Sequence, residues 1–462
     1  MDLGARIAAM VESTSYEDLP EEARTAAKMA VLDTLGVMLA GSGAGEDVGA
    51  VVGLLDELGG NEECSVVAFG KKSNPALAAL ANGALAHSID YDDAHDDAFV
   101  HPSASVVPAA LAAGERVHAS GKELVTAVAV ADDVMCRLGF AVSDPPENQG
   151  RLWMLPVLLG SFSATVAASK MLGLSAPQVE AALGIAFNRV GGTKELVIEP
   201  GSLRGLYAMF PNMTGVLAAL MARAGVPGLS DTFDGPAGFF SQYYGGVRDE
   251  TAFAGLGRRF EGANVSIKPW PCCRFTNSHV DAALGIACSH DVDPRRIARI
   301  TLYDAHDDAK RCLEPLEMRR RPRTIPEAKL SLPFTVALAL AYRTVEIGSF
   351  CPQTLEDPLL ADLCQKTGAA YDESLKSTLS KTMLPGRVRV EMEDGEAFDE
   401  RVDVVYGHPR NRMRWDDLKD KFEDCASHAR RPFGAAEAEN VATMVEGLET
   451  LSDVAVLMDA VR

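Results

Sequence analysis

A dense cluster of acidic and imidazole side chains lies between two alanine-rich segments, within residues 87–103. It consists of His87, Asp90, Asp92, Asp93, His95, Asp96, Asp97 and His101. A carboxylate and a histidine in an irregular loop can act together on one substrate, because imidazole titrates near neutral pH. The cluster indicates proton-transfer chemistry. An exposed acidic loop followed by a helix cap would explain the same residues about equally well.

The cluster does not follow the common metal-binding patterns. Counted from Asp90, a calcium loop would need glycine at its sixth position and a bidentate glutamate at its twelfth. This sequence has His95 and His101 there. It also lacks an HExxH motif, a zinc spacing of Cys and His, and a glycine-rich phosphate-binding motif. We therefore expect neither a metal ion nor a nucleotide cofactor.

Ser103 follows Pro102 at the start of an alanine-rich run. We expect Ser103 to cap a helix there, which would place the positive end of the helix close to His101. A substrate carboxylate would be stabilised at such a position.

A second candidate stretch spans residues 267–281 and contains two cations on either side of a proline-constrained turn. These cations are Lys268 and Arg274, and the guanidinium of arginine can bind a carboxylate through two parallel hydrogen bonds. An exposed basic turn before a helix is the simpler interpretation, since Lys and Arg are mostly surface residues. Cys272 and Cys273 are expected to be packed thiols, because no activating partner is evident.

A third stretch, residues 201–207, places Arg204 and Tyr207 just ahead of an apolar helix. Arg204 could bind an anion from this position. An ordinary surface arginine fits the pattern at least as well.

Composition narrows the classes of function. The 462-residue chain has a formal net charge of -21, which argues against nucleic acid or an anionic membrane surface as a partner. Its nine cysteines form no evident disulfide framework, and the N-terminus has no secretory pattern, so a cytoplasmic location is expected. The charge-free stretch 205–222 contains Pro211 and Asn212 and is more typical of a buried helix than of a membrane span.

The hydrophobic periodicity changes along the chain. Up to about residue 265, apolar residues recur at three- and four-residue steps, which is typical of helices. Segment 296–303 alternates polar and apolar side chains like a half-buried strand, and segments 387–393 and 397–405 around Asp394-Gly395 predict a hairpin. The fold class is therefore mostly α, with a large helical domain and a smaller α+β domain of about 140 residues, a normal domain size.

Several of these segments, in the same order, resemble the MmgE/PrpD family. They are 31–36 with Ala40-Gly41, 82–93, His101-Pro-Ser103, 159–174, 268–281 and 327–334. The resemblance covers nearly the whole chain. It implies a helical domain built from both chain ends (1–265 and 408–462), an α+β domain (266–407) and a homodimer.

The resemblance also implies a site between the two domains that needs no metal or organic cofactor. Asp90, His101 and Lys268 occupy the positions of family site residues, and we expect them to be catalytic. Arg204, Tyr207, Arg274 and Ser103 are then the residues expected to bind a small carboxylate substrate. Family members dehydrate 2-methylcitrate, decarboxylate cis-aconitate or epimerise iminodisuccinate, and in each case a proton next to a carboxylate-bearing carbon is handled.

The sequence departs from the family pattern at several site positions. Histidines of the family pattern are replaced by Met154, Tyr207 and Asn277, a lysine by Arg204, a threonine by Ala94 and a tyrosine by Phe334. A guanidinium can hold a carboxylate but does not give up its proton.

Three outcomes of proton abstraction next to a carboxylate remain open. A dehydratase or hydratase is the first hypothesis, with His101 as acid or base and Asp90 orienting it or sharing the proton. An isomerase or epimerase is second, and a decarboxylase is third. The alternative from another class is a non-catalytic paralogue that keeps the fold.

Overall fold

The computed structural model describes residues 2–142, 152–198, 201–305, 310–376 and 384–462. The chain forms two compact units. Unit 1 comprises Met1–Val265 and Arg414–Arg462, and unit 2 comprises Ser266–Met413. The second unit ends six residues beyond the predicted break at 407, because Gly407 accepts a hydrogen bond from Ile267 N (3.0 Å) and donates one to Asn411 O (2.9 Å).

Unit 1 is predominantly helical, and its last helices come from the C-terminal segment. Its helices are α1 (Leu3–Ser13), α2 (Glu21–Ala44), α3 (Val48–Leu58), α4 (Pro75–His87), α5 (Pro102–Val117), α6 (Gly121–Ala141), α7 (Leu155–Met171), α8 (Ala176–Phe187), α9 (Glu195–Ile198), α10 (Met209–Arg223), α11 (Phe239–Tyr244), α19 (Trp415–Ser427), α20 (Ala435–Glu446) and α21 (Ala455–Val461). A short antiparallel hairpin of β1 (Cys64–Val66) and β2 (Lys71–Ser73) also lies in this unit. With only this short hairpin beside its helices in the described residues, the unit agrees with the predicted large helical domain.

Small residues allow the helices of unit 1 to pack closely. Helix α7 packs against α5, α6 and α10, and α19 packs on α2. A Cβ atom at Gly215 of α10 would come within 2.4 Å of the Ala164 backbone on α7. At Gly83 of α4 it would come within 2.7 Å of the Ala208 carbonyl. Close backbone approach is thus why Ala and Gly are abundant in this half of the chain.

Local caps set some of the helix boundaries. Asn74 accepts a hydrogen bond from Leu77 N and caps α4. Helix α2, in contrast, continues through two glycines at positions 41 and 43 and ends at Ala44. Gly41 packs against the segment after α4, where a Cβ would lie 2.4 Å from Ser88 Oγ. This glycine therefore serves packing rather than helix termination.

Unit 2 is an α+β unit with one four-stranded sheet. Its helices are α12 (Asn277–Ser289), α13 (Lys310–Leu313), α14 (Leu316–Arg319), α15 (Ile325–Lys329), α16 (Leu332–Tyr342), α17 (Pro352–Leu355) and α18 (Pro358–Lys366). Its strands are β3 (Ile297–Asp304), β4 (Thr367–Tyr371), β5 (Gly386–Met392) and β6 (Ala397–Val402). The strand order is β4-β3-β5-β6, with β3 parallel to β4 and the other pairs antiparallel.

The predicted hairpin of β5 and β6 is confirmed, and so is the strand β3. Strand β4 was missed, because Thr-Gly-Ala-Ala-Tyr has neither a long apolar run nor a clear alternation. The fold class, mostly α with a smaller α+β part, is confirmed.

One described helical stretch, Leu203–Arg223, is long and apolar enough to cross a membrane by length and composition. Of its most apolar window, 67% is buried inside the protein. That burial is typical of a core helix, as the sequence predicted.

Candidate functional site

The acidic loop 88–101 connects the end of α4 to the start of α5 and folds tightly onto unit 1. Asp90 and Phe99 adopt left-handed backbone conformations (φ 57° and 58°), which are uncommon outside glycine. His95 N donates to Val100 O at 2.8 Å, and Phe99 N donates to His95 O at 2.9 Å. Asp92, Asp93, His95 and Asp96 are all buried. The alternative of an exposed acidic loop is therefore wrong.

Asp92 lies between two imidazoles. Its Oδ1 atom is 2.8 Å from His87 Nδ1, and its Oδ2 atom is 3.5 Å from His101 Nδ1. The two imidazole rings are themselves 5.5 Å apart. The side chain of Asp92 is only 1% exposed, so this carboxylate acts on both rings in a poorly solvated environment.

The hydrogen bond of His101 defines its tautomer. Nδ1 lies 2.6 Å from the main-chain carbonyl of Asp93, and a carbonyl can only accept. Nδ1 therefore carries a proton, and Nε2 is the nitrogen that gains or loses a proton in chemistry. The His101 side chain is 22% exposed, whereas that of His87 is 4% exposed. Of the two rings, His101 is the one that a solute can reach more readily.

Asp90 and Arg204 form an ion pair, with Arg204 Nη2 3.1 Å from Asp90 Oδ2. Arg204 lies in the short 3-10 turn Ser202–Leu206, just before α10. Gly205 lets this turn approach the loop, because a Cβ there would be 3.2 Å from the Ser88 carbonyl. Both side chains keep partial exposure, 12% for Asp90 and 19% for Arg204. The structure thus brings together two residues that the sequence proposed separately.

Tyr207 packs its ring on His87 at a centroid distance of 4.2 Å. The residue is 3% exposed, and its hydroxyl has no hydrogen-bond partner among the described residues. Burial raises the pKa of Tyr207 well above its usual range, and the nearby Asp92 and Asp90 raise it further. The phenol is therefore neutral and available as a hydrogen-bond donor.

Ser103 does not cap α5 as predicted. The N-cap position belongs to His101, and Ser103 lies inside the first turn. Its backbone N–H donates to Asp93 Oδ1 at 3.3 Å, and its hydroxyl donates to Asp93 Oδ2. A carboxylate from the preceding loop therefore satisfies the first turn, which local sequence could not reveal. With Ser103 only 1% exposed, the geometry supports a positioning role for it rather than a substrate contact.

Two more buried carboxylates, Asp93 in the loop and Asp132 on α6, have raised pKa values. Burial raises the pKa of Asp93 to about 7; the Ser103 hydrogen bond opposes this rise, and Asp33 and Asp92 add to it. Burial, reinforced by Asp93, also raises the pKa of Asp132 of α6 well above its usual range.

Lys421 of α19 is a buried cation near these acids. Its Nζ atom lies 2.6 Å from Asp33 Oδ1, donates to Tyr91 O at 3.0 Å and sits 3.8 Å from the centre of the Tyr91 ring. The C-terminal segment thus fixes the peptide that separates Asp90 from Asp92.

One group of side chains, at the end of α4 and in the loop, could hold a cation by distance alone. Ligand atoms of His87, Asp90 and Asp92 all lie within 4.8 Å of one another. His87 Nδ1 lies 2.8 Å from Asp92 Oδ1 in an ion-pair contact without hydrogen-bond geometry, and Asp90 is engaged by the guanidinium of Arg204. That guanidinium competes with any cation for Asp90, which favours an ion-paired network over a metal centre.

The remaining site candidates, Lys268 and Arg274, belong to unit 2. Lys268 is fully buried. Arg274 is half-buried and donates from Nη2 to Ser266 Oγ at 3.1 Å. The expectation of an exposed basic turn is therefore wrong for Lys268, and a buried ammonium requires compensating partners.

Cys272 and Cys273 are buried, as expected of packed thiols. His279 of α12 is also buried; Nε2 lies 2.9 Å from Tyr303 O and burial lowers the pKa of its ring. His279 thus has the features of a structural histidine in unit 2.

Comparison with known proteins identifies the family. The profile of the MmgE/PrpD N-terminal domain matches residues 5–251, and that of the MmgE/PrpD C-terminal domain matches residues 270–450. The chain belongs to the MmgE/PrpD family. The cis-aconitate decarboxylase-like protein oryM of Aspergillus oryzae is 25% identical over 98% of this chain and 96% of its own length. Cis-aconitate decarboxylase of Mus musculus is 27% identical over 97% and 91%, and that of Homo sapiens is 27% identical over 83% and 78%.

Sequence reasoning about this MmgE/PrpD chain missed the contributions of His87, Asp92, Asp132 and Lys421. His87 and Asp92 were visible in the cluster, but their sequence order gave no sign of which carboxylate would reach which imidazole. Asp132 lies in an apolar run of α6. An aspartate at such a position is itself a signal, because acidic residues are rarely fully buried without a partner. Lys421 had no local signal, because its partners Asp33 and Tyr91 are hundreds of residues away.

Proposed function

We propose that this chain is a lyase that acts on a small polycarboxylic acid, with His101 transferring a proton at a carbon next to a carboxylate. The observation that carries this proposal is the fixed tautomer of His101. Nδ1–H donates to Asp93 O at 2.6 Å, with Asp92 3.5 Å away. Nε2 is left as the titrating atom of a ring that retains partial exposure. A neighbouring carboxylate stabilises the imidazolium form, so the ring can both take and return a proton.

Loss of carbon dioxide is the outcome that the relatives support best, since two of those compared are named cis-aconitate decarboxylase and the third a cis-aconitate decarboxylase-like protein. In such a step the bond from the departing carboxylate to its neighbouring carbon breaks. The electron pair moves through the adjacent double bond, and the carbon at its far end takes a proton from His101 Nε2. Elimination of water, our first hypothesis from sequence, uses the same group in reverse: His101 removes a proton and hydroxide leaves.

Arg204 supplies a positive charge for a substrate carboxylate on the same side of unit 1. Its guanidinium is held by Asp90 at 3.1 Å, and a planar guanidinium can bind a second carboxylate through its other N–H groups. Tyr207 offers a neutral hydroxyl beside His87. Lys268 and Arg274 are proposed as further carboxylate-binding residues on the family resemblance.

The replacements of family residues in this chain favour a substrate other than a citrate-type acid. Met154 stands where the family has a histidine, and Phe334, 3% exposed, stands where it has a tyrosine. Both remove polar groups. A less polar acid than citrate, or proton transfer without loss of water, follows from these replacements.

The experiment is turnover of a panel of di- and tricarboxylic acids in deuterated water, followed by NMR, with cis-aconitate and 2-methylcitrate included. We expect one acid to lose carbon dioxide or water with deuterium exchange at one carbon. His101→Ala should lower turnover of that acid by about two to four orders of magnitude, the usual contribution of a general acid or base. His118→Ala, at a 74%-exposed side chain, is the matched control and should leave turnover unchanged.

The competing hypothesis is a non-catalytic paralogue. Absence of turnover and of any thermal shift with every acid would support it. Near-normal turnover in His101→Ala would move the proton-transfer role to Tyr207 or Lys194.

We propose that the reaction needs no metal ion. The ion pair of Asp90 with Arg204 at 3.1 Å supports this, because the guanidinium competes with a cation for that carboxylate. Stoichiometric metal in the purified protein, together with loss of turnover on chelation, would overturn it.

We also propose that the chain forms a homodimer in the cytoplasm. Phe210 and Leu217 expose apolar side chains on α10, at 55% and 46%, and an apolar helix face is often covered by a partner. Light scattering of the purified protein tests the dimer.

A further inference from the structure

A chain of contacts leads from α6 to the proposed proton-transfer residue. Asp132 Oδ2 lies 3.5 Å from Ser103 Oγ, whose hydroxyl donates to Asp93 Oδ2. Asp93 in turn accepts the Nδ1–H of His101 on its main-chain carbonyl at 2.6 Å. Asp93, Asp132 and Ser103 are all at most 2% exposed, so water does not compete with these contacts.

The number of available protons determines the direction of these hydrogen bonds. Ser103 has one hydroxyl proton, and the shorter contact assigns it to Asp93. Asp93 receives the Ser103 N–H on Oδ1 and the hydroxyl proton on Oδ2, which suits a charged carboxylate. Asp132 Oδ2, 3.5 Å from the same Oγ, then faces a lone pair of the hydroxyl oxygen, an arrangement that suits a protonated carboxyl group better than a charged one.

The surroundings of Asp132 agree with a neutral acid. Its Oδ1 atom is buried with no hydrogen-bond partner among the described residues. The buried cation on the same helix, Arg137, is bound by Asp133 at 2.8 Å and by the carbonyls of Ala252, Ala254 and Arg259. A charged Asp132 would therefore be buried without a cation of its own, which is strongly unfavourable.

We infer that Asp132 is a positioning residue that keeps its proton at neutral pH and, through Ser103 and Asp93, holds the His101 imidazole in place. The inference rests on the proposed role of His101. Above the pKa of Asp93, the inference gives opposite charge states to two aspartates that contact the same serine: Asp93 is charged and Asp132 is neutral. Asp132 touches no substrate in this scheme, so its loss should act on turnover and not on substrate affinity.

The order of proton binding agrees with this assignment. Burial, with Asp93 as the next cause, raises the pKa of Asp132 well above its ordinary value, whereas the pKa of Asp93 rises to about 7. The other titratable groups that act on this pair are Asp33, Asp92, Asp133 and Cys136. Asp33 is neutralised by Lys421 and Asp133 by Arg137.

Variants that keep or remove the hydrogen-bond donor at position 132 distinguish a positioning role of Asp132 from simple packing. Asn at position 132 still offers an N–H donor to Ser103, whereas Leu offers none. We expect Asp132→Leu to lower kcat by roughly 10–100-fold with KM unchanged, as for partners that orient a functional histidine. Asp132→Asn should recover most of that loss. Equal impairment in both variants, or a rise in KM alone, would overturn the inference.

An infrared readout does not depend on activity. At pH 8, where Asp93 is mostly charged, the wild type should show the carbonyl band of a buried protonated carboxylic acid. The band should vanish in Asp132→Asn and persist in Asp133→Asn, the neighbouring aspartate on the same helix. Persistence of the band in Asp132→Asn would overturn the inference even if Asp132→Leu fails to fold. If the band behaves as expected but no acid is turned over, the charge assignment stands and the proposed function fails.

Discussion

Asp92 Oδ2 lies 3.5 Å from His101 Nδ1, and Asp92 Oδ1 lies 2.8 Å from His87 Nδ1. The sequence had assigned the task of orienting His101 to Asp90, which the structure pairs with Arg204 instead. The left-handed backbone of Asp90 turns the chain between these two carboxylates. One acidic motif therefore serves two purposes: one carboxylate acts on the imidazoles and the other acts on the substrate-binding cation.

The different roles of Asp92 and Asp90 give the first prediction. Asp92→Asn should lower kcat by roughly 10–100-fold, because the amide keeps the shape but cannot stabilise an imidazolium. Asp90→Asn should act mainly on KM, because it releases Arg204. Steady-state kinetics of the two variants on the identified substrate measures this split. Asp97→Asn in the same loop is the control, and identical profiles for Asp90→Asn and Asp92→Asn would contradict the assignment.

Arg204 gives the second prediction. Arg204→Met should raise KM by at least about tenfold, since loss of one charge-assisted hydrogen bond is worth roughly 1.5–3 kcal/mol. Arg204→Lys should be milder because it keeps the charge but loses the planar fork. The exposed Arg223→Met on α10 serves as the control. An unchanged KM in Arg204→Met would remove Arg204 from the substrate site.

Lys268 gives the third prediction. Lys268→Ala should raise KM, and a parallel fall in kcat would mean that the cation meets charge that develops in the transition state. Lys268→Arg keeps the charge and should be less impaired. Because Lys268 is fully buried, thermal unfolding of each variant must accompany the kinetics. A folded Lys268→Ala variant with wild-type kinetics would refute the role.

The sequence revealed those features that short-range chemistry determines. Asn74 and Pro75 start α4, and Asp394-Gly395 turns the hairpin of β5 and β6, because caps and turns depend on a few adjacent residues. Strand β4 was missed because its pairing with β3 supplies what its own residues do not indicate. The motif resemblance predicted that Asp90, His101 and Arg204 belong to the candidate site. It could not predict which carboxylate pairs with which cation or imidazole, since that depends on the backbone turn at Asp90 and on which groups are buried.

The contacts of Lys421 join residues that lie far apart in the sequence, and they give the fourth prediction. Its ammonium is bound by Asp33 at 2.6 Å and by Tyr91 O at 3.0 Å. Lys421→Met should destabilise the protein by about 3–5 kcal/mol, because it leaves Asp33 charged and buried without its cation. Asp33→Asn combined with Lys421→Met should cost less than the sum of the single changes. Urea unfolding of the four proteins measures the coupling, and strict additivity would contradict it.

The last prediction concerns the pH dependence of stability. Burial raises the pKa of Asp93 to about 7 and, despite Arg137, that of Asp133 to about 6, from an ordinary value of 3.8. In the unfolded chain both groups lose their protons near the ordinary value. Between about pH 4 and 7 the folded state thus binds more protons than the unfolded state.

These two carboxyl groups therefore lower the free energy of unfolding as pH rises through this window. Each group contributes on the order of 1–4 kcal/mol across the window. Asp93→Asn removes one of these groups and should flatten the decline. The urea midpoint measured from pH 4.5 to 8 tests this, with the exposed Asp416→Asn as the control. The assignment would be refuted if the Asp93→Asn curve ran parallel to that of the wild type, because the carboxyl of Asp93 would then titrate alike in the folded and unfolded chains.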